Sequence, residues 1–98
     1  MNIYPEICEL CEREENLTFH HLVPKKSHNR SRVKRLHTKE YMVNGGIDVC
    51  WDCHRMLHRS YTHELLALEY YTLELIKQNP KVSRFVNWVS KQNKSIKY

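Results

Sequence analysis

The sequence predicts a small α+β domain that is too short to stand on its apolar core alone. Three observations predict it: two short β-type segments on either side of a basic stretch, a final third with helical periodicity, and four cysteines in two matched pairs. At 98 residues the chain is one domain, and a core of that size stabilises only marginally without a structural metal or a partner chain.

The elements follow in order. "CELCERE" (8–14) has the form of a knuckle turn. "LTFHHLVP" (17–24) combines β-branched and aromatic residues and ends at a proline, which predicts a strand. The stretch from there to about Tyr41 has no apolar period and is expected to be a loop. After "NGG" a second short strand, "IDVC", turns into a helix carrying "DCHRMLHRS". "THELLALEYYTLELIKQN" opens on Thr62 as N-cap and is apolar at Leu65, Leu66, Leu68, Leu73, Leu75 and Ile76, which predicts one helix. "PKVSRFVNWVSKQ" starts on Pro80, tolerated in a first helical turn, and repeats Val82, Phe85, Val86 and Val89 at helical spacing. Tyr70, Tyr71 and Trp88 are expected at the core or its rim. The whole is a single domain over 1–98, with a knuckle and strand–helix core at 8–60 and two packing helices at 61–92.

Charge is distributed unevenly. Sixteen Lys and Arg stand against eleven Asp and Glu, a formal net charge of +5. Five of the acids (Glu6, Glu9, Glu12, Glu14, Glu15) precede residue 16, and none lies from Asn16 to Lys39. That acid-free interval holds Lys25, Lys26, Arg30, Arg32, Lys34, Arg35 and Lys39. A segment of one sign attracts polyanions, nucleic acid above all, and the first six residues are the candidate DNA contacts. With few aromatics in the interval, contacts to phosphates are expected to outweigh base stacking.

"MNIYPEICEL" has neither a charged start nor an apolar run, so no signal peptide is expected. No stretch approaches the roughly 18 apolar residues of a membrane span. These features predict a cytoplasmic protein with reduced thiols, where paired cysteines indicate metal before disulfides.

Cys8-x-x-Cys11 matches Cys50-x-x-Cys53 in spacing. Each pair sets two thiolates on one side of a tight turn, and together they complete a tetrahedral shell that suits Zn2+. Closing the 38 residues between Cys11 and Cys50 has an entropic cost that grows slowly with length. Structural zinc contributes on the order of 10 kcal/mol or more, so folding wins. Four thiolates leave no open position, and this ion is structural.

His54 and His58 are four apart and share a helical face. Cys53 and His54 point about 100° apart on a helix, so they serve different centres. "HH" at 20–21 offers a third imidazole. Neighbours in a strand face opposite sides, so one can join the ion with the other free beside it only where the strand ends or twists. Three imidazoles leave positions open for water and substrate, as in catalytic metal sites.

"CELC", "HHLVP" and "CWDCHRMLH" together resemble the HNH (His-Me finger) endonucleases in their zinc-knuckle form with two Cys-x-x-Cys pairs, and the resemblance covers about residues 8–90. It implies a zinc-stabilised ββα-metal core followed by the two packing helices. It implies hydrolysis of DNA phosphodiesters to 5′-phosphate and 3′-hydroxyl ends, with His21 as general base. It implies that His20, His54 and His58 hold a second divalent ion, Mg2+, Mn2+, Ni2+ or Zn2+. At one position the chain departs from the family: Gly45 stands where an asparagine orients the base, and the adjacent Asn44 is the candidate replacement. DNA is the expected partner, no membrane is expected, and a monomer or weak homodimer fits one site per chain. The competing readings are a non-catalytic zinc module that binds nucleic acid through the basic interval and, more remotely, a protein-interaction module.

Overall fold

Leu17–His21 (β1) and Gly46–Cys50 (β2) form a two-stranded antiparallel sheet in a computed structural model that describes residues 6–92. Residues 1–5 and 93–98, the two ends of the expected 1–98 domain, lie outside the described residues. The register sets Thr18 opposite Val49, His20 opposite Ile47 and His21 opposite Gly46. Alternation along β1 leaves Phe19 exposed and buries His20 completely. Gly46 is required by close approach: a Cβ there would meet the Phe19 ring and come within 2.7 Å of the His20 carbonyl oxygen.

Between the strands lie a 3₁₀ turn, Lys25–Ser27, and two six-residue helices, Ser31–Leu36 (α1) and Lys39–Asn44 (α2). Trp51–Ser60 (α3) follows β2 without a connecting residue, Cys50 serving as its N-cap. His63–Glu69 (α4), Leu73–Gln78 (α5) and Pro80–Val89 (α6) complete the chain. The result is a small α+β fold.

Three expectations are corrected. β1 ends at His21, and residues 22–24 turn away instead of extending the strand to the proline. The basic stretch is not a loop. Each of its helices buries a single apolar residue, Val33 in α1 and Met42 in α2, too few to make a visible period. Thr38 caps α2 by accepting from the Tyr41 amide, and His37 Nε2 lies 2.7 Å from the Ala67 carbonyl oxygen, fastening this region to α4. The stretch predicted as one helix from Thr62 is two helices, so three helices, not two, follow α3. Thr72 is extended (φ −138°) and accepts from the Leu75 amide, starting α5 afresh. Tyr41 donates to the Tyr71 carbonyl, and Asn79 Nδ2 donates to the Tyr70 hydroxyl at 2.7 Å, holding the break between α4 and α5. Thr62 and Pro80 occupy the N-cap and first-turn positions expected of them.

Apolar burial falls into two clusters. Leu10, Leu22, Ile47, Val49, Met56, Leu57, Ile76, Val82 and Val89 join the knuckle, sheet, α3, α5 and α6. Val23, Val33, Met42 and Ala67 join α1, α2 and α4. Tyr70 and Tyr71 are half-buried, while Trp88 is exposed beside Phe85. No helix among the described residues is long and apolar enough to cross a membrane.

Candidate metal centres

The first Cys-x-x-Cys is a tight turn closed on itself. The Glu12 amide donates to the Cys8 carbonyl at 2.9 Å, the Cys8 amide to the Arg13 carbonyl at 3.0 Å, and the Cys11 amide to Cys8 Sγ at 3.4 Å. Glu12 completes the reversal in the left-handed region (φ 63°). The knuckle docks on β2 through Glu9, whose amide donates to the Asp48 carbonyl while its carboxylate accepts from the Asp48 amide at 2.6 Å. The second pair straddles the β2–α3 junction, with Cys50 ending the strand and Cys53 in the first helical turn.

All four cysteines are free and buried, and their sulfurs lie within 4.8 Å of one another. Cys11 Sγ and Cys50 Sγ are 3.7 Å apart, far beyond a disulfide bond. Thiolates about 2.3 Å from a tetrahedral zinc are separated by about 3.8 Å, so this spacing fits. Hydrogen bonds from the Cys50, Cys53 and Cys8 thiols, with Arg13 adding to them, hold Cys11 far below the usual thiol range. Cys11, Cys50 and Cys8 together with burial push Cys53 far above it. Cys8, like Cys53, is pushed up, so these two keep their protons unless a cation balances the charge of the cluster. Its donors, burial and spacing are those of structural zinc. Arg13 Nη2 braces the site, 3.5 Å from Cys50 Sγ and 2.8 Å from the buried Asp52 carboxylate.

The histidine cluster draws on α3 one residue further along, at His54 and His58. His20, His54 and His58 offer ring nitrogens within 4.8 Å of one another, with ring centroids 4.9–5.3 Å apart. His20 is completely buried, and neither of its ring nitrogens has a hydrogen-bond partner among the described residues. An unsatisfied buried polar atom costs about 1–3 kcal/mol, which a metal–nitrogen bond would remove. Burial, with His54 and His58 nearby, lowers His20 to about 3, so its ring is neutral and its lone pair available. Burial also lowers His54 and His58. The three ring nitrogens form a group that could hold a metal ion.

His21 ends the strand and turns outward. It lines a cavity of about 260 Å³ whose wall also carries His54, His58, His63, Lys25 and Lys26. Burial lowers its pKa, helped by the charges of Lys25 and His28. Its ring meets Phe19 edge-on at 4.9 Å. Asn44, the candidate orienter, is exposed at the end of α2 and does not line this cavity. The Gly45 carbonyl accepts from the Leu22 amide at 3.2 Å and so fixes the backbone just after His21.

The six candidate DNA contacts divide among several surfaces. Lys25 and Lys26 stand at the histidine cavity, and Lys34 lines a second concavity with His28, His37 and Lys39. Arg32 and Arg35, three apart on α1, line a shallower surface with Glu69. Arg30 pairs with Glu64 at 3.3 Å. An interval free of acids in sequence is thus supplied with them in space by α4.

Three partners escaped the sequence reading. His63, at the start of α4, reaches the cavity with its ring 5.6 Å from that of His58. Arg13 and Asp52 meet beneath the cysteines. Thr18 Oγ1 lies 2.7 Å from His54 Nδ1. Only Thr18 left a trace in the sequence, standing two residues before His20 and so on the same strand face.

The buried four-cysteine cluster makes this small α+β protein a candidate zinc-binding protein, and the three histidines form a second group that could hold an ion. The chain is 32% identical over 87 residues to the uncharacterized protein YisB of Bacillus subtilis (strain 168), covering 88% of this chain and 75% of YisB, and it belongs to the same family. No family model matches it, and no solved structure matches it.

Proposed function

We propose that this chain is a metal-dependent DNA endonuclease of the HNH (His-Me finger) type, with β1, β2 and α3 as its ββα-metal core. The observation that carries the reading is the placement of two adjacent histidines. His20 turns inward to the cluster of His54 and His58, while His21 stands in the cavity beside that cluster with two lysines. A divalent ion held by His20, His54 and His58 would supply positive charge at the scissile phosphate and at the departing 3′ oxygen. His21, neutral near physiological pH, accepts a proton from the water whose oxygen bonds to phosphorus. The bond from phosphorus to the 3′ oxygen breaks, leaving a 5′-phosphate, and the 3′ oxygen takes its proton from solvent. Lys25 and Lys26 hold the phosphate backbone against the cavity.

Plasmid nicking tests this. Zinc-loaded protein with added Mg2+, Mn2+ or Ni2+ is expected to relax supercoiled DNA, and chelation of the added ion to stop it. A protein that binds DNA yet nicks it with none of these ions is instead a non-catalytic zinc module. The exposed position of Asn44, outside the cavity that His21 lines, favours that second reading.

The division of the basic residues sets a further expectation. Lys25→Glu with Lys26→Glu should weaken DNA binding by about tenfold or more and reduce the salt slope by about 0.9 for each phosphate no longer neutralised. Arg32→Glu with Arg35→Glu, which line a different surface, should alter both much less. Anisotropy titrations across a salt series decide it, and the reverse ranking would move the DNA path onto the α1 surface.

A further inference from the structure

Thr18 stands between the sheet and the histidine cluster. Its hydroxyl oxygen is 2.9 Å from the Val49 carbonyl oxygen, on the opposite rung of the sheet, and 2.7 Å from His54 Nδ1. A hydroxyl has one proton to give and lone pairs to accept with. The carbonyl can only accept, so the proton goes to Val49. The contact with His54 must then run the other way, with Nδ1–H donating to the hydroxyl oxygen. A neutral imidazole carries one N–H, so Nε2 is left with a bare lone pair.

We infer that Thr18 is a positioning residue that fixes His54 in the tautomer able to ligate through Nε2, presetting the histidine cluster for a divalent ion. The inference rests on the metal-site part of the proposed function. The anchor is rigid for a clear reason. Val49 precedes Cys50 and His54 follows Cys53, so both ends of the Thr18 bridge adjoin residues of the cysteine cluster. A metal-ligating histidine commonly needs such a partner on its second nitrogen, and losing the partner typically weakens metal binding 10- to 100-fold.

The test uses the full chain with zinc in the cysteine site. Long-range 1H–15N NMR of the wild type, without added metal, should show His54 protonated at Nδ1 and bare at Nε2. Thr18→Val, which keeps the shape and removes the hydroxyl, should give a mixture of tautomers. In calorimetric titration with Ni2+ the valine variant should bind about 10- to 100-fold more weakly, with zinc content and thermal transition unchanged. Thr18→Ser restores the hydroxyl and should recover both signals. Unchanged His54 resonances and unchanged Ni2+ affinity in Thr18→Val would overturn the inference. A wild type that shows the expected tautomer but takes up no Ni2+ beyond its zinc would uphold the role of Thr18 and remove the metal-site reading instead.

Discussion

Cys50→Ser is expected to release zinc and unfold the domain. Cys50 ends β2, stands at the N-cap position of α3 and contributes one of the four clustered sulfurs, so its loss opens the cross-link between knuckle and sheet. It also leaves Arg13 and Asp52 in a site whose zinc has gone. Zinc in such a site contributes on the order of 10 kcal/mol of folding free energy, more than the usual net stability of a small domain. Cys8→Ser, from the other pair, should behave alike, and a strong chelator should reproduce the effect on the wild type. Metal analysis and circular dichroism melting check this together. A serine variant that kept one tight zinc and its thermal transition would show that the four cysteines do not share an ion.

A second large effect should separate the proposed base from the proposed ligands. His21→Ala should lower DNA cleavage by about a hundredfold or more while leaving zinc, fold and DNA binding near normal, because a general base acts in the transition state. His54→Ala, His20→Ala and His58→Ala should also lose cleavage, and each should weaken uptake of the second ion as well. His20 adds a complication: it is fully buried, so its alanine variant leaves a cavity and should also lower the melting temperature. The base and the ligands are distinguished by metal uptake rather than by activity. Equal loss of ion binding in all four variants would place His21 among the ligands.

Much of this site was legible in the chain because its information is local. Two matched Cys-x-x-Cys pairs bring their sulfurs together over four residues each, by a tight turn at the first and a strand–helix junction at the second, and a spacing of four puts His54 and His58 on one helical face whatever surrounds them. The capping threonine at 62 and the first-turn proline at 80 are local signals of the same kind, and both sit where such signals place them. The break at Tyr70–Thr72 was not legible. The apolar residues on either side suit one long helix, and hydrogen bonds from Tyr41 and Asn79 to the two tyrosines help to hold the break.

The short helices α1 and α2 escape a periodicity reading because each buries one apolar side chain, and one buried residue has no period. Their stability comes from elsewhere, through Val33 and Met42 packing with Ala67, and His37 reaching the Ala67 carbonyl. The charge pattern misleads in the same way. Along the chain the basic interval is unbroken, whereas folding sets Glu64 against Arg30 and Glu69 beside Arg32 and Arg35. By itself the sequence determined which residues could hold metal and how they would divide between two centres, since ligand chemistry and short-range spacing belong to the chain. The tertiary structure alone decided that β1 stops at His21, that Thr18 meets His54, and that Lys25 and Lys26 but not the arginines face the histidines. Those outcomes depend on which distant segments pack together, and a burial or hydrogen-bond partner contributed from far along the chain leaves no mark on local spacing.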